Sequence, residues 1–255
     1  MFINQVKKAL HEGKVQLGTN FSHLATPEVV RLLAAAGFKW AFVDLEHGVF
    51  NPETLWQICK TSQLVGFTPI LRVTSLEYDL VARCLDLGAH GIIFPRVEDP
   101  KLLEDAVSWT KFPPVGQRGF GLIGPHVDYE KVTIPQVIEQ MNREVLVVLQ
   151  IETKKAFEAR EELLSVPGID VVMVGPADLS ISLGVPGDFQ HPKMVEAMEA
   201  IRDSCVKRGI FPGTQTRTLE LAKFWKERGM KFLGCSTEAA MMFDRATEIS
   251  TALSS

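Results

Sequence analysis

Eight short apolar runs recur along the whole chain, and their rhythm restricts the fold more than any other feature. They are VQLGTN (15–20), WAFVDL (40–45), TPILRV (68–73), GIIFPRV (91–97), VLVVLQIE (145–152), DVVMVGP (170–176), IFPGTQ (210–215) and KFLGCS (231–236). Stretches with helical spacing lie between most of them, such as TPEVVRLLAAAG, LEYDLVARCLDLG and PKMVEAMEAIRDSCVKRG. Gly37, Gly88 and Gly209 stand where helices end, and Asn51-Pro52 reads as an N-cap followed by proline in the first turn. Eight strand–helix units in 255 residues predict an α/β fold, a (β/α)8 TIM barrel forming one domain over 1–255. An open doubly wound sheet is the alternative, but no glycine-rich nucleotide turn follows an early strand.

Composition narrows the function classes. With 46% apolar and 23% charged residues the balance is that of a globular protein. A net charge of −4 offers no attraction for nucleic acid or an anionic membrane. Cys59, Cys84, Cys205 and Cys235 form no CxxC pair and read as reduced core thiols. At the N-terminus Phe2, Val6 and Leu10 recur among charges, which predicts a short amphipathic helix rather than a signal peptide. No apolar run is long enough to span a bilayer. A cytoplasmic protein is therefore expected. Residues 111–130, KFPPVGQRGFGLIGPHVDYE, break the rhythm and predict a long loop at or near the active-site face, over the barrel mouth or toward a neighbouring subunit.

In a barrel the chemistry sits at the C-terminal ends of the strands. The residues there are Asp44, Glu46 and His47, then Arg72, Arg96 and Glu98, Gln150 and Glu152, Asp178, Gln215 and Ser236. Gln150 and Glu152 share a strand face, and Asp178 follows the next strand. Two carboxylates with an amide nearby and no cysteine suit a hard divalent cation. Alternatively, each carboxylate caps the helix that follows it. Arg72 requires an anion, either a substrate carboxylate or an ion pair with Asp44 or Glu46. His47 can move protons if a carboxylate orients it, and Asp86 is a candidate. No lysine stands at a strand end, which argues against Schiff-base chemistry. GCSTEA after the last strand reads as a helix cap, with phosphate binding the other possibility.

AGFKWAFVDLEHG, PILRV, CLDLGAHGIIFPRVE, RGFG, VLQIET and VGPADLS occur in this order across nearly the whole chain. In this it resembles the HpcH/HpaI aldolases, metal-dependent class II pyruvate aldolases acting on substrates such as 4-hydroxy-2-oxoheptanedioate and 2-keto-3-deoxy sugar acids. The resemblance implies cleavage or formation of the C3–C4 bond of a 4-hydroxy-2-oxo acid, giving pyruvate and an aldehyde through a metal-stabilised enolate. It implies Glu152 and Asp178 as ligands of Mg²⁺, Mn²⁺ or Co²⁺, with no organic cofactor. Arg72 and Gln150 would hold the pyruvyl oxygens, and the backbone of Gly175, Pro176 and Ala177 the carboxylate. His47 and Asp86 would form a proton-transfer dyad, with Asp44 supporting metal-bound water. Glu46 would pair with Arg72 or order water near the metal. A homohexamer is also implied, a trimer of dimers exchanging the last helix, with the RGFG loop approaching a neighbour's site. DLEHG stands where several members have DGEHAP, and GLIGPHVDY is particular to this chain, so the acceptor aldehyde is left open.

Overall fold

The computed structural model describes residues 3–121 and 127–254; Phe2 and most of the GLIGPHVDY segment, His126 included, lie outside the described residues. Eight parallel strands close into a barrel in sequence order: β1 Gln16–Phe21, β2 Trp40–Asp44, β3 Thr68–Arg72, β4 Gly91–Phe94, β5 Leu146–Ile151, β6 Val171–Val174, β7 Phe211–Thr216 and β8 Phe232–Thr237. β8 pairs with β1, so no sheet edge is left open. The expected barrel and its eight strands are present.

The helices alternate with the strands: α1 Gln5–His11, α2 Glu28–Ala35, α3 Pro52–Leu64, α4 Tyr78–Asp86, α5 Pro100–Ser108 and α6 Ile134–Glu144. They continue with α7 Lys154–Glu158, α8 Arg160–Leu163, α9 Pro176–Ser182, α10 Pro192–Lys207, α11 Leu219–Glu227 and α12 Glu238–Ser254. Asn51 caps α3 through Oδ1, which accepts from the N–H of Thr54 at 2.8 Å.

Strand alternation divides the core in two. Trp40, Phe42, Ile70, Ile93, Leu146, Val148, Val171, Met173 and Phe232 fill the lumen. Ala41, Val43, Leu71, Ile92, Val147 and Leu149 face the helices. Continuing the inward set by two residues reaches Asp44 after Phe42, Arg72 after Ile70 and Gln150 after Val148, so the pattern that fills the lumen aims these polar groups into its mouth. The lumen is tight: Trp40 stacks on Phe232 at 3.7 Å between centroids. A Cβ on Gly18 would lie 2.1 Å from the Trp40 ring, which explains the glycine in β1.

At the strand-start end, α1 plugs the barrel. Its Val6 and Leu10 join the lumen cluster, and each such burial contributes about 1.5–3 kcal/mol. Asn4 locks the plug, its Nδ2 donating to the carbonyls of His90 and Glu144.

The described part of the 111–130 loop differs from the expectation of a cover over its own mouth. α5 runs back from the mouth, so the chain leaves it at the strand-start end. There Lys111 Nζ donates to the carbonyls of Asn142 and Val145, and Val145 immediately precedes β5. The last helix, α12, lies mostly in the open, with Met242, Phe243, Ile249 and Leu253 exposed. No helix of the described residues is long and apolar enough to cross a membrane.

Candidate active site

Asp44 and Arg72 are directly opposite each other in the β2–β3 ladder. The carboxylate takes the guanidinium in a fork, Nε to Oδ1 at 3.0 Å and Nη2 to Oδ2 at 2.7 Å. Arg72 Nη1 lies 3.1 Å from Glu46 Oε2, and the guanidinium covers the Phe42 ring at 4.6 Å. Asp44 Oδ1 also accepts the backbone N–H groups of Glu46 and His47. One carboxylate thus aims the arginine and shapes the DLEHG turn. The ion-pair reading of Arg72 holds, with both acidic residues rather than one, and the arginine still faces the mouth.

Neither metal-ligand candidate is a helix cap. Thr153, not Glu152, caps α7, its Oγ1 accepting from the N–H of Ala156. Asp178 is the third residue of α9, whose N-cap is Gly175 without a side-chain bond. Glu152 is 1% exposed, and burial, reinforced by nearby Asp178, raises its carboxyl pKa to about 7 against the pull of Arg72. Its Oε2 accepts from Gln150 Nε2, while Gln150 Oε1 is buried with no hydrogen-bond partner among the described residues. A Cβ at position 175 would lie 2.8 Å from both Gln150 Nε2 and Glu152 Oε2, so glycine lets the backbone pass this close.

Arg96, placed at a strand end by the sequence but given no role, is the residue that sequence reasoning missed. It sits just past β4 with φ +54°. Its N–H donates to Glu152 Oε1 at 2.9 Å, its Nε to Glu46 Oε1 at 3.1 Å, and its Nη2 lies 3.6 Å from Asp178 Oδ1. The hydrogen bond to Glu46 and the charges of Glu152 and Asp178 raise its pKa. Its only sequence signal was a charged residue at a strand end. Glu98 turns outward to Thr153 and Lys155.

The donors fit a hard divalent ion. The charge of Asp178 disfavours ionisation of Glu152, and a buried carboxylate with a raised pKa gains most from a cation. Among the described residues no group of three or more His, Cys, Asp or Glu side chains is arranged to hold a metal, so two carboxylates would leave positions for water and substrate.

His47 and Asp86 are not brought together within the chain. His47 is exposed at the mouth. Asp86 ends α4, shortly before β4 begins, at the opposite end of the barrel. There it pairs with the buried Arg118 of the RGFG segment at 2.7 Å; the Arg118 guanidinium also covers the Phe112 ring at 4.6 Å, and its Nε and Nη1 have no hydrogen-bond partner among the described residues. Periodicity gave Asp86 its helix but not which end of the barrel that helix reaches.

A cavity of about 460 Å³ opens at the mouth. Asp44, His47, Arg72, Gln150, Gly175, Pro176, Ala177 and Asp178 line one side, and Phe189, Gln215, Arg217, Leu221, Trp225 and Ser236 the other. No lysine lines it. Thr237 Oγ1 accepts from the N–H of Ala240 and so caps α12, the plainer reading of GCSTEA.

The family model described as HpcH/HpaI aldolase/citrate lyase matches residues 19–239. The chain belongs to this family. A 2-dehydro-3,6-dideoxy-6-sulfogluconate aldolase from Pseudomonas putida is 35% identical over 90% of the chain and 89% of its own length. A 4-hydroxy-2-oxo-heptane-1,7-dioate aldolase from Escherichia coli is 30% identical over 94% and 90%. The crystal structure of an HpcH/HpaI aldolase from Desulfitobacterium hafniense DCB-2 superposes with TM-score 0.91 at 31% identity, covering 96% of this chain and 95% of the other. The chain is thus an aldolase, a carbon–carbon lyase, in an HpcH/HpaI family that acts on small molecules and generally depends on a divalent metal.

Proposed function

We propose that this aldolase cleaves or forms the C3–C4 bond of a 4-hydroxy-2-oxo acid, with pyruvate as the enolisable partner and an aldehyde as the other. The observation that carries the reading is one cavity lined by the clamped Arg72, by Asp178 and by Gln150, whose Nε2 donates to the buried Glu152. Glu152 and Asp178 would hold Mg²⁺, Mn²⁺ or Co²⁺. A bound ion of this kind supplies Lewis acidity to the 2-oxo group.

The residues divide the remaining work. Arg72, fixed by Asp44, offers positive charge beside the keto oxygen, where negative charge develops as C3–C4 breaks; preorganised charge of this kind is worth several kcal/mol. Gln150 stands beside it as a donor for the same oxygens. Around the pyruvate carboxylate, Gly175 already gives its N–H to Ile151 O and Pro176 has none, so the donor this turn offers is Ala177. His47 takes the proton of the 4-hydroxyl and the aldehyde leaves; the carbanion charge is quenched by protonation at C3. Asp44 is committed to Arg72 and its own turn, so its support is to orientation first. Glu46 divides itself between Arg72 and Arg96.

Since Asp86 lies at the other end of its own barrel, the dyad requires a neighbouring chain. The expected homohexamer, a trimer of dimers, provides one: Asp86 and the RGFG loop of one subunit would serve His47 of the next. The exposed apolar residues of α12 support an exchanged last helix. A net charge of −4 offers no attraction for nucleic acid or an anionic membrane, in keeping with a cytoplasmic enzyme of small molecules. A CoA-thioester lyase is less well supported, because the cavity holds no basic cluster for nucleotide phosphates.

The test is direct. Purified protein with Mg²⁺, Mn²⁺ or Co²⁺ is given 4-hydroxy-2-oxo acids of five to seven carbons, and pyruvate is read by coupled NADH oxidation. Metal-dependent pyruvate release is expected; no release from any of them contradicts the reading.

A further inference from the structure

Among the described residues no hydrogen bond reaches the His47 ring, so the backbone of its loop has to place the imidazole. That loop, residues 45–51 between β2 and α3, is anchored at both ends. At its start Asp44 Oδ1 takes the N–H groups of Glu46 and His47. At its end the N–H of Val49 donates to the Ser22 carbonyl at 3.2 Å, and Phe50 meets the Phe21 ring edge-on at 5.1 Å. The second anchor is therefore the β1–α2 loop, and a residue near the other end of the chain holds that loop in turn.

Glu238, the first residue of α12, is 4% exposed. Its Oε1 accepts three consecutive backbone N–H groups, from Ser22 at 3.0 Å, His23 at 2.5 Å and Leu24 at 2.9 Å. Successive amides converging on one oxygen make an anion-holding concavity. Thr237 already caps α12, so the carboxylate is not needed there. It is in no ion pair among the described residues, and a charge buried without a counter-ion is costly unless hydrogen bonds hold it. All three contacts fall on Oε1; Oε2 is buried with no hydrogen-bond partner among the described residues.

We infer that Glu238 is a positioning residue for His47. Its carboxylate fixes the β1–α2 loop, that loop fixes Val49, and Val49 fixes the end of the turn that presents the imidazole to the 4-hydroxyl of the substrate. This rests on the proposed aldol reaction with His47 as the proton acceptor.

The experiment measures kcat and KM for pyruvate release from the 4-hydroxy-2-oxo acid that the wild type cleaves fastest, and Mg²⁺ affinity by calorimetry. Glu238→Ala should lose about tenfold or more in kcat, with KM and Mg²⁺ affinity within about twofold, because proton transfer alone is misaligned. Glu238→Gln keeps the accepting oxygen and should retain most of the rate. Glu238→Asp keeps the charge but is one carbon short, and should lose more than Glu238→Gln. In a His47→Asn background Glu238→Ala should cause no further loss. A wild-type rate in Glu238→Ala overturns the inference, as does the same fold loss with and without His47, or a parallel loss of Mg²⁺ affinity. If Glu238→Ala does not fold, the other two variants still decide: Glu238→Asp as fast as Glu238→Gln, or faster, overturns it. Failure of the aldol reading itself shows differently, since the wild type would then release no pyruvate.

Discussion

Glu152 contributes a pH-dependent part of the stability of the metal-free protein. Its carboxyl moves from an ordinary 4.5 to about 7, chiefly because burial disfavours the charged form. In the unfolded chain the group ionises near 4.5; in the folded protein it holds its proton to about 7. Folding is therefore favoured below pH 4.5, and that advantage is lost as pH rises through 7. At about 1.4 kcal/mol per pH unit the loss approaches about 3 kcal/mol. Glu152→Gln removes the titration and keeps the shape. Its Oε1 can still accept the N–H of Arg96, and Gln150 can turn its unpartnered Oε1 toward the new amide. The assay is urea unfolding in EDTA from pH 4.5 to 8.5 at fixed protein concentration, reading the difference between variant and wild type so that other carboxylates cancel. Near pH 4.5 the two should be alike; by pH 8 the variant should be more stable by up to about 3 kcal/mol. With saturating Mg²⁺ the order should reverse, since only the wild type gains from the ion. A difference that stays flat across pH 5–8 refutes the reasoning.

Arg72→Lys loses the fork to Asp44, and pyruvate methyl-proton exchange should fall by about 100-fold or more with the far-UV spectrum retained. His47→Asn and Asp86→Asn should each be nearly inactive, while oligomers reassembled from a mixture of the two should regain activity; mixtures as inactive as their parents would contradict a shared dyad. Arg96→Ala removes a positive charge from beside Glu152 and Asp178, and calorimetry should show Mg²⁺ binding several-fold tighter. Deleting the chain beyond Ala240 removes the exposed face of α12, and sedimentation should show a smaller assembly; an unchanged hexamer would contradict helix exchange.

The barrel was legible because its rule is local. Strand alternation shows in β5, where Val148 faces the lumen and Gln150 follows two residues later, and the eight-fold rhythm supplies closure. Asp44, Arg72, Gln150 and Asp178 were found by the same rule, being polar residues at strand ends. What was not legible depends on partners distant in sequence. Asp44 binding Arg72 and two backbone amides at once is a matter of register between β2 and β3. Arg96 reaching Glu46, Glu152 and Asp178 depends on a left-handed backbone that non-glycine sequence does not signal. The sequence also showed the 111–130 segment as irregular, but only the direction of α5 puts its described part at the strand-start end.

The most direct test is deuterium exchange into the pyruvate methyl group, followed by NMR without any acceptor aldehyde. The account predicts exchange with Mg²⁺, Mn²⁺ or Co²⁺, its loss in EDTA, and its return when metal is restored. Exchange that persists after the metal is removed would contradict the central claim, as would its absence with all three ions.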